Sequence, residues 1–486
     1  MKKAIAMVIT SALMLSFPGC SAKSDVEVNA VADPVAGGEE ACIVPFLAEH
    51  IENEWTPELD YYLFGMTDLE GNTVYEPQFT SVNLIESCGV YIVGGEVEGK
   101  TFYGLLSLDG EDYTGLIYDG AYYDPAMEEG EEGMFNMTVA GEAGLHLTRY
   151  DSALTVADET DLVVDVSSLP YPEEYSGLSV CHMVADGAVL VDRNEFYPHY
   201  VLVDISTGEM LNDLDGDPGK RTTLFGDLII MSDISGEELK VYDYTGECTV
   251  DGQGAMGLRL SDYRFAAVYD GRLEVVDTEG YVVEQMDVDQ NTRIDTSCGH
   301  IVVCENGVTS VYDENLDPVS SDLDIDLDDG YLLGDYDDEF CSYLYFVSFD
   351  DDVVINLMTG QTMDTMVGYH YNYENGYIFA DNRGDGNTDD HRWYLYDEDF
   401  NTIFNVSGIG KVFYDRLSED MYICAIENGE TSMYSCDYQT RLFVIDGNYG
   451  YYTCTAFCGR FMMTDGNEVI LVDSSAQELF SYTINS

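Results

Sequence analysis

Two or three apolar residues in alternation, an Asp, a short turn that often ends in Gly, and then another apolar run make a unit that recurs along the chain. Leu202-Val203-Asp204-Ile205-Ser206-Thr207-Gly208 is one copy. Val241-Tyr242-Asp243-Tyr244-Thr245-Gly246 and Val275-Val276-Asp277-Thr278-Glu279-Gly280 follow. Further copies centre on Asp313, Asn356, Asp397, Asp437 and Asp473, so successive centres lie 39, 34, 36, 43, 41, 40 and 36 residues apart. Alternation of period two gives a strand one face for a core and one for solvent. The Asp suits a hairpin turn because its carboxylate accepts backbone N–H groups, and the Gly supplies the positive φ.

Between the copies lie further strand-like runs, such as Gly226-Asp227-Leu228-Ile229-Ile230-Met231 and Gly299-His300-Ile301-Val302-Val303-Cys304. About four strands in every forty residues or so is the spacing of a β-propeller, whose radially packed sheets bury both faces and leave few open edges. The predicted fold class is therefore all-β: a propeller of about 7–8 four-stranded blades over residues 166–486, after a separate β region at residues 46–165. Eight copies between about residue 178 and the end of the chain would complete a ring. Helix is scarce, with one short helix predicted over Pro45 to Asn53, and the acid-rich Glu128 to Glu132 reads as a loop.

Two resemblances attach to these patterns. The Asp-x-x-Thr-Gly form at Asp204 to Gly208 resembles the quinoprotein-like propeller repeat, in which a Trp follows the Gly and docks between blades. Here other residues hold that place, and the chain has only two Trp, Trp55 and Trp393. The resemblance thus extends to the fold and not to a quinone cofactor. In the N-terminal third, Phe64-Gly65-Met66-Thr67-Asp68-Leu69-Glu70-Gly71, continuing to Pro77-Gln78-Phe79, resembles the WG repeat of bacterial surface proteins, with Phe64 in place of Trp. A second copy begins at Tyr103-Gly104, 39 residues later, and a worn third at Gly144, after another 40. This resemblance implies a β repeat with an extracytoplasmic or binding role and no particular chemistry.

The N-terminus reads as an export signal. Lys2 and Lys3 precede an apolar run from Ala4 to Leu15, too short for a membrane span. Phe17-Pro18-Gly19-Cys20 follows and resembles the bacterial lipobox, which implies lipidation of Cys20. The alternative is an ordinary secretory signal cut after Ala22. The expected organisation is a signal peptide at 1–19, a lipid-anchored tether at 20–45, and the two β regions. The expected location is the extracytoplasmic face of the cell membrane.

Charge changes the picture of partners. The chain of 486 residues carries 93 acids against 19 bases, a net charge of −74, and the acids are spread throughout. Such a surface repels phosphate backbones, so no nucleic-acid partner is expected; it should also repel anionic lipid and anionic wall polymers, which leaves cations, basic proteins and neutral ligands. With 45% hydrophobic residues and 38 Tyr, the chain has ample material for a β core. Beyond Cys20 there are eleven cysteines, irregularly spaced, which read chiefly as buried thiols.

Candidate chemistry is sparse. Asp381, Asp385, Asn387 and Asp389 are the candidate calcium ligands, since oxygens at alternate positions around Gly384 and Gly386 suit a calcium loop. Asp213 to Asp217 is a second acidic fragment. Asp322, Asp324, Asp326 and Asp328 alternate as well, and also fit an edge strand with one acidic face. Cys298, His300 and Cys304 fall on one strand face, a flat ladder rather than the convergent set that zinc needs. No Gly-x-Ser-x-Gly elbow, sialidase Asp box or nucleotide-binding loop occurs. The Tyr369 to Tyr373 and Tyr449 to Tyr452 runs could line a peptide or glycan groove, or simply fill strands. These observations lead to an expected non-enzymatic, lipid-anchored scaffold that binds protein, peptide or glycan. The alternatives are a propeller glycan hydrolase or lyase using paired carboxylates, and a structural part of a membrane assembly. No cofactor is expected other than calcium.

Overall fold

The computed structural model describes residues 42–51, 61–124, 133–141 and 144–163 and, from 178 to 484, the strands and the shorter turns between them. Within these residues the chain is β throughout, apart from a single 3-10 turn at Leu327–Asp329. The strands form eleven antiparallel sheets, each built from consecutive strands. The first two, residues 43–79 and 81–107, have three strands each, and the third, residues 120–163, has four. Eight more four-stranded meanders follow, over residues 178–213, 220–253, 256–287, 293–323, 330–364, 370–407, 409–446 and 454–483. These eight coincide with the eight sequence repeats, one repeat to a sheet.

Sheet faces too apolar to meet water are covered by the next sheet. Every consecutive pair shares a core cluster. Leu145, Leu147 and Leu162 of the third sheet pack on Val180, Val201 and Val203 of the fourth. Leu260, Leu273 and Val275 of the sixth pack on Ile294, Ile301 and Val303 of the seventh. The succession then returns on itself: Cys42, Val44, Phe46 and Ala48 of the first sheet share a core with Phe457, Met462, Val469 and Leu471 of the eleventh. This closure makes the protein a propeller-type fold, with the N-terminal sheets taking part in the same succession as the repeats. The expected boundary at residue 165/166 falls within 164–177, outside the described residues, and core packing is continuous on either side of it.

The short helix predicted for Pro45 to Asn53 is instead part of a nine-residue strand, Ile43–Ile51, paired antiparallel with Tyr61–Asp68. The reason lies in the period: Val44, Phe46 and Ala48 are buried while Pro45, Leu47 and Glu49 are half-buried, an alternation that serves a sheet face and not a helix. Only the neighbouring strand and the eleventh sheet make that alternation pay.

The repeat's Asp performs the role its position suggests. In five sheets, Asp68, Asp151, Asp313, Asp397 and Asp473 stand at the hairpin into the outermost strand, where Oδ1 accepts the N–H groups two and four residues on, at 2.7–3.1 Å. The residue at the third position has φ between 54° and 91° and is Gly only at Gly71; elsewhere it is Leu154, Leu316, Phe400 or Ala476. The Thr-Gly form is one residue longer. There Asp204 and Asn356 accept from the N–H of Thr207 and Thr359, whose hydroxyls in turn accept from Glu209 and Gln361, and Gly208 and Gly360 take the positive φ. A non-Gly residue in the left-handed region costs about 1–2 kcal/mol. Ala476→Gly should therefore raise stability by about 0.5–1 kcal/mol after loss of one partly buried methyl, measured as a rise in the urea midpoint.

The aromatic-Gly pairs of the N-terminal third also have a physical cause. A Cβ on Gly65 would lie 2.3 Å from Cζ of Phe46, and one on Gly104 would lie 2.3 Å from the carbonyl oxygen of Gly115. Both glycines mark places where another group rests directly on the strand backbone.

Candidate functional site

First strands of neighbouring sheets come together. This is seen between Gly120–Asp124 and Leu178–Val184, Met256–Ser261 and Arg293–Ser297, Gly330–Leu333 and His370–Asn372, and Ile409–Tyr414 and Cys454–Phe457. Just past one of these strands, Asp415 forms a parallel bridge to Ala456 of the next sheet's first strand, so the two run side by side in one direction. The first strands make the inner wall, and the outermost strands, beyond the Asp turns, make the rim. An inner wall of this kind gathers residues from segments hundreds of positions apart onto one surface.

On the strand Arg293–Ser297, Ile294 and Thr296 are buried, while Arg293, Asp295 and Ser297 share the other, half-exposed face. Arg293 Nη1 donates to the carbonyl of Leu327 and, at 2.9 Å, to Asp328 Oδ1 at the entry to the next sheet. Burial holds the Asp295 carboxyl above the usual carboxylate range, against the opposing pull of the Thr296 N–H and of Arg293. Tyr331 on the neighbouring first strand is 40% exposed.

The sequence candidates fare differently. Cys20, Asp385, Asn387 and Asp389 lie outside the described residues. Asp381 ends the strand Ile378–Asp381 opposite Trp393. Asp213 ends the strand Met210–Asp213, opposite Val201. The run from Asp322 to Asp328 keeps its alternation: Asp322, Asp324, Asp326 and Asp328 are exposed, while Ile325 and Leu327 are buried. Two of these acids have local employment, since Asp326 caps the 3-10 turn through the Asp328 N–H and Asp328 meets Arg293. Cys304 is a packed thiol in the core between the seventh and eighth sheets, with Sγ 3.6 Å from the Ile325 carbonyl. Cys298 lies outside the described residues. Tyr449 packs on the core between the tenth and eleventh sheets, and its hydroxyl donates to Glu468 at 2.8 Å. Burial and Glu468 push its pKa up, so this tyrosine serves as a packing and hydrogen-bonding group.

Two buried polar constellations escaped the sequence reading. Asp124 is 5% exposed; it accepts from the Asn136 side chain at 3.3 Å and from the Met183 N–H of the next sheet at 3.3 Å, with Arg149 Nη2 at 3.9 Å. Arg149 also donates to Asn136 at 3.1 Å. Asp415 is 1% exposed and accepts from the N–H groups of Cys458 at 2.9 Å and Gly459 at 2.6 Å. Acids this abundant give no sequence signal for which of them are buried.

At the closing seam, burial, reinforced by Cys458 and Asp415, pushes the Cys42 thiol up to about 12. A raised thiol pKa means that the fold prefers the neutral form. Its stabilisation is complete below the unfolded value near 9 and is lost as pH climbs from there toward 12. Urea midpoints of the native chain should therefore fall between pH 9 and 11, and Cys42→Ala should fall less steeply across that window. Parallel slopes for the two chains would remove Cys42 as the cause.

No protein-family model matches the sequence, and no curated protein does. Among solved structures, the chain is similar to one described as a crystal structure of the eukaryotic initiation factor, with 11% identity, a TM-score of 0.36 and coverage of 73% of this chain and 97% of that one. It is also similar to apo AztD from Citrobacter koseri, with 10% identity, a TM-score of 0.27 and coverage of 73% and 96%. A third is the dihydro-heme d1 dehydrogenase NirN in complex with DHE, with 13% identity, a TM-score of 0.27 and coverage of 59% and 71%. The fold itself rests on the eleven meanders and the cores that join each to the next.

Proposed function

We propose that this protein is a non-enzymatic, lipid-anchored binding module of the extracytoplasmic face that engages a peptide, protein or glycan at the inner wall of its ring of sheets. The observation that carries this reading is the convergence of first strands from separate sheets onto one composite surface. Ligand sites favour such places, where several rigid elements each contribute a side chain or two. The anchor reading comes from the cysteine at position 20 behind a short apolar run, and it would hold the ring outside the membrane on a tether that ends before Cys42 rather than at residue 45, because Cys42 is buried and Ile43 opens the first strand.

Two measurements test the proposal. Cells fed a radiolabelled fatty acid should label the native chain and not Cys20→Ala, and the variant should leave the membrane fraction. The domain from residue 42 onward, screened on glycan and peptide arrays, should retain a reproducible set of ligands unchanged in mass after incubation. Cleavage of a bound glycan would replace this reading with the hydrolase or lyase alternative.

A further inference from the structure

The seam that closes the ring brings together two cysteines and a buried carboxylate. Cys42 stands just ahead of the strand Ile43–Ile51 and is 4% exposed, in the core that joins the first sheet to the eleventh. Phe457 lies in that same core. Cys458 follows it as the first turn residue between the strands Cys454–Phe457 and Arg460–Thr464. Both cysteines are thiols in this structure, Cys42 buried and Cys458 half-buried. They lie within electrostatic reach of one another, and Asp415 lies within the same reach of Cys42. Asp415 also accepts the Cys458 and Gly459 N–H groups, which fixes the turn at the seam.

The two cysteines are more than 400 positions apart in the chain. In the chain-entropy account, a cross-link over so long a loop removes more freedom from the unfolded chain than one across a short loop. It would also act at the one seam that chain continuity does not secure. Each sheet is tied to the next by the backbone, but the eleventh meets the first through packing alone.

We propose that Cys42 and Cys458 form a disulfide that locks the first sheet to the eleventh and closes the ring covalently. The oxidant is a second disulfide, carried by a small molecule or a protein, and it is reduced to two thiols as the pair is oxidised. Cys458 reacts first because it is half-exposed, whereas Cys42 is buried and burial disfavours its thiolate. The Cys458 thiolate joins one sulfur of the oxidant and expels the other. Cys42 then attacks the Cys458 sulfur and expels the oxidant's remaining half. The protons of the two cysteines pass to the two expelled sulfurs. Such oxidants act outside the cytoplasm, the location proposed above, while the bond itself depends on no ligand.

The test uses the full chain, purified reduced and then given oxidised glutathione at about pH 8, near the ordinary thiol pKa. A second sample is refolded from urea in the same oxidant. The expected product is a monomer in which fragment spectra of a non-reducing digest join Cys42 to Cys458. Cys42→Ser and Cys458→Ser should lack the joined fragments, and Cys454→Ser, on the same hairpin, should keep them. The oxidised chain should have a urea midpoint about 1 M above that of the reduced chain, and oxidation should not move the midpoint of Cys458→Ser. A link formed only on refolding supports the bond and places its formation before the seam is packed. Glutathione retained on Cys458 would mean that Cys42 does not reach it, and overturns the proposal. A link found only between two chains, a link from Cys458 to Cys454, or no link in either sample overturns it as well. A link that leaves the midpoint unchanged overturns the lock.

Discussion

Phe46→Ala should lower the stability of the folded chain by about 3–5 kcal/mol, the range for truncating a buried aromatic. Phe46 is 1% exposed, on a strand that joins the chain's first sheet to its last. Its ring centroid lies 4.8 Å from that of Phe480 and 5.0 Å from that of Tyr482 on the outermost strand of the eleventh sheet. On its own sheet the ring rests on Gly65 at a distance that leaves no room for a methyl group. The truncation therefore removes three contacts at once and leaves a cavity bounded by two sheets, which cannot collapse without moving one of them. Urea denaturation followed by tyrosine fluorescence reads the effect as a lower midpoint. A loss below about 1 kcal/mol would mean that the seam opens freely and that the ring is not closed by this contact. Gly65→Ala should reproduce much of the loss by pushing the same ring away from the other side.

The second large effect is expected at Asp415. Its carboxylate, 1% exposed, receives the N–H groups of Cys458 and Gly459, the two residues that turn the hairpin between the first and second strands of the eleventh sheet. Both turn residues have positive φ, 47° and 69°, as the favoured two-residue hairpin turn requires, and at the first of them Cys458 stands where glycine or asparagine would be easier. Asp415→Ala leaves two part-buried donors without their buried acceptor, at about 1–3 kcal/mol each. The expected loss is about 3–5 kcal/mol. Asp415→Asn keeps the shape and one acceptor oxygen and should lose about half as much. If Ala and Asn lose equally, shape rather than hydrogen bonding explains the site. Hydrogen exchange at the Cys458 and Gly459 amides would separate the cases directly, since both should quicken in Asp415→Ala.

Much of the architecture could be read from the sequence because the repeat carries its own physics. An Asp that caps a turn must precede that turn by a fixed number of residues, so Asp204, Asp313, Asp397 and Asp473 announce a hairpin wherever they occur. The N-terminal units and the later Asp units looked like two kinds of repeat, yet Asp68 and Asp151 make the same pair of hydrogen bonds as Asp313, and only the Thr-Gly turns at Asp204 and Asn356 differ, being one residue longer. What stayed hidden is non-local. Nothing near Val44 or Phe46 tells that their partners are Met462 and Leu471, and so a strand looked like a short helix. The candidate site was harder still. Asp124 and Asp415 are two among 93 acids, and burial, which sets them apart, depends on the neighbouring sheet.

The closure between residues 42–48 and 457–484 also fixes an order of events. Each internal sheet needs about 40 residues of chain to form, so it can fold soon after it emerges, by hairpins that close short loops. The first strand meets its second partner surface only when the last sheet exists, after a loop of more than 400 residues has been drawn shut. Loop-closure entropy grows slowly with length, so this final joining costs about 2 kcal/mol more than closing a single sheet. Thermodynamically that is minor. Kinetically it means that the leading strand waits with Val44, Phe46 and Ala48 uncovered through most of synthesis. In that interval its apolar edge is open to another chain's eleventh sheet as readily as to its own, so exchange between neighbouring molecules is the characteristic misfolding hazard of this ring.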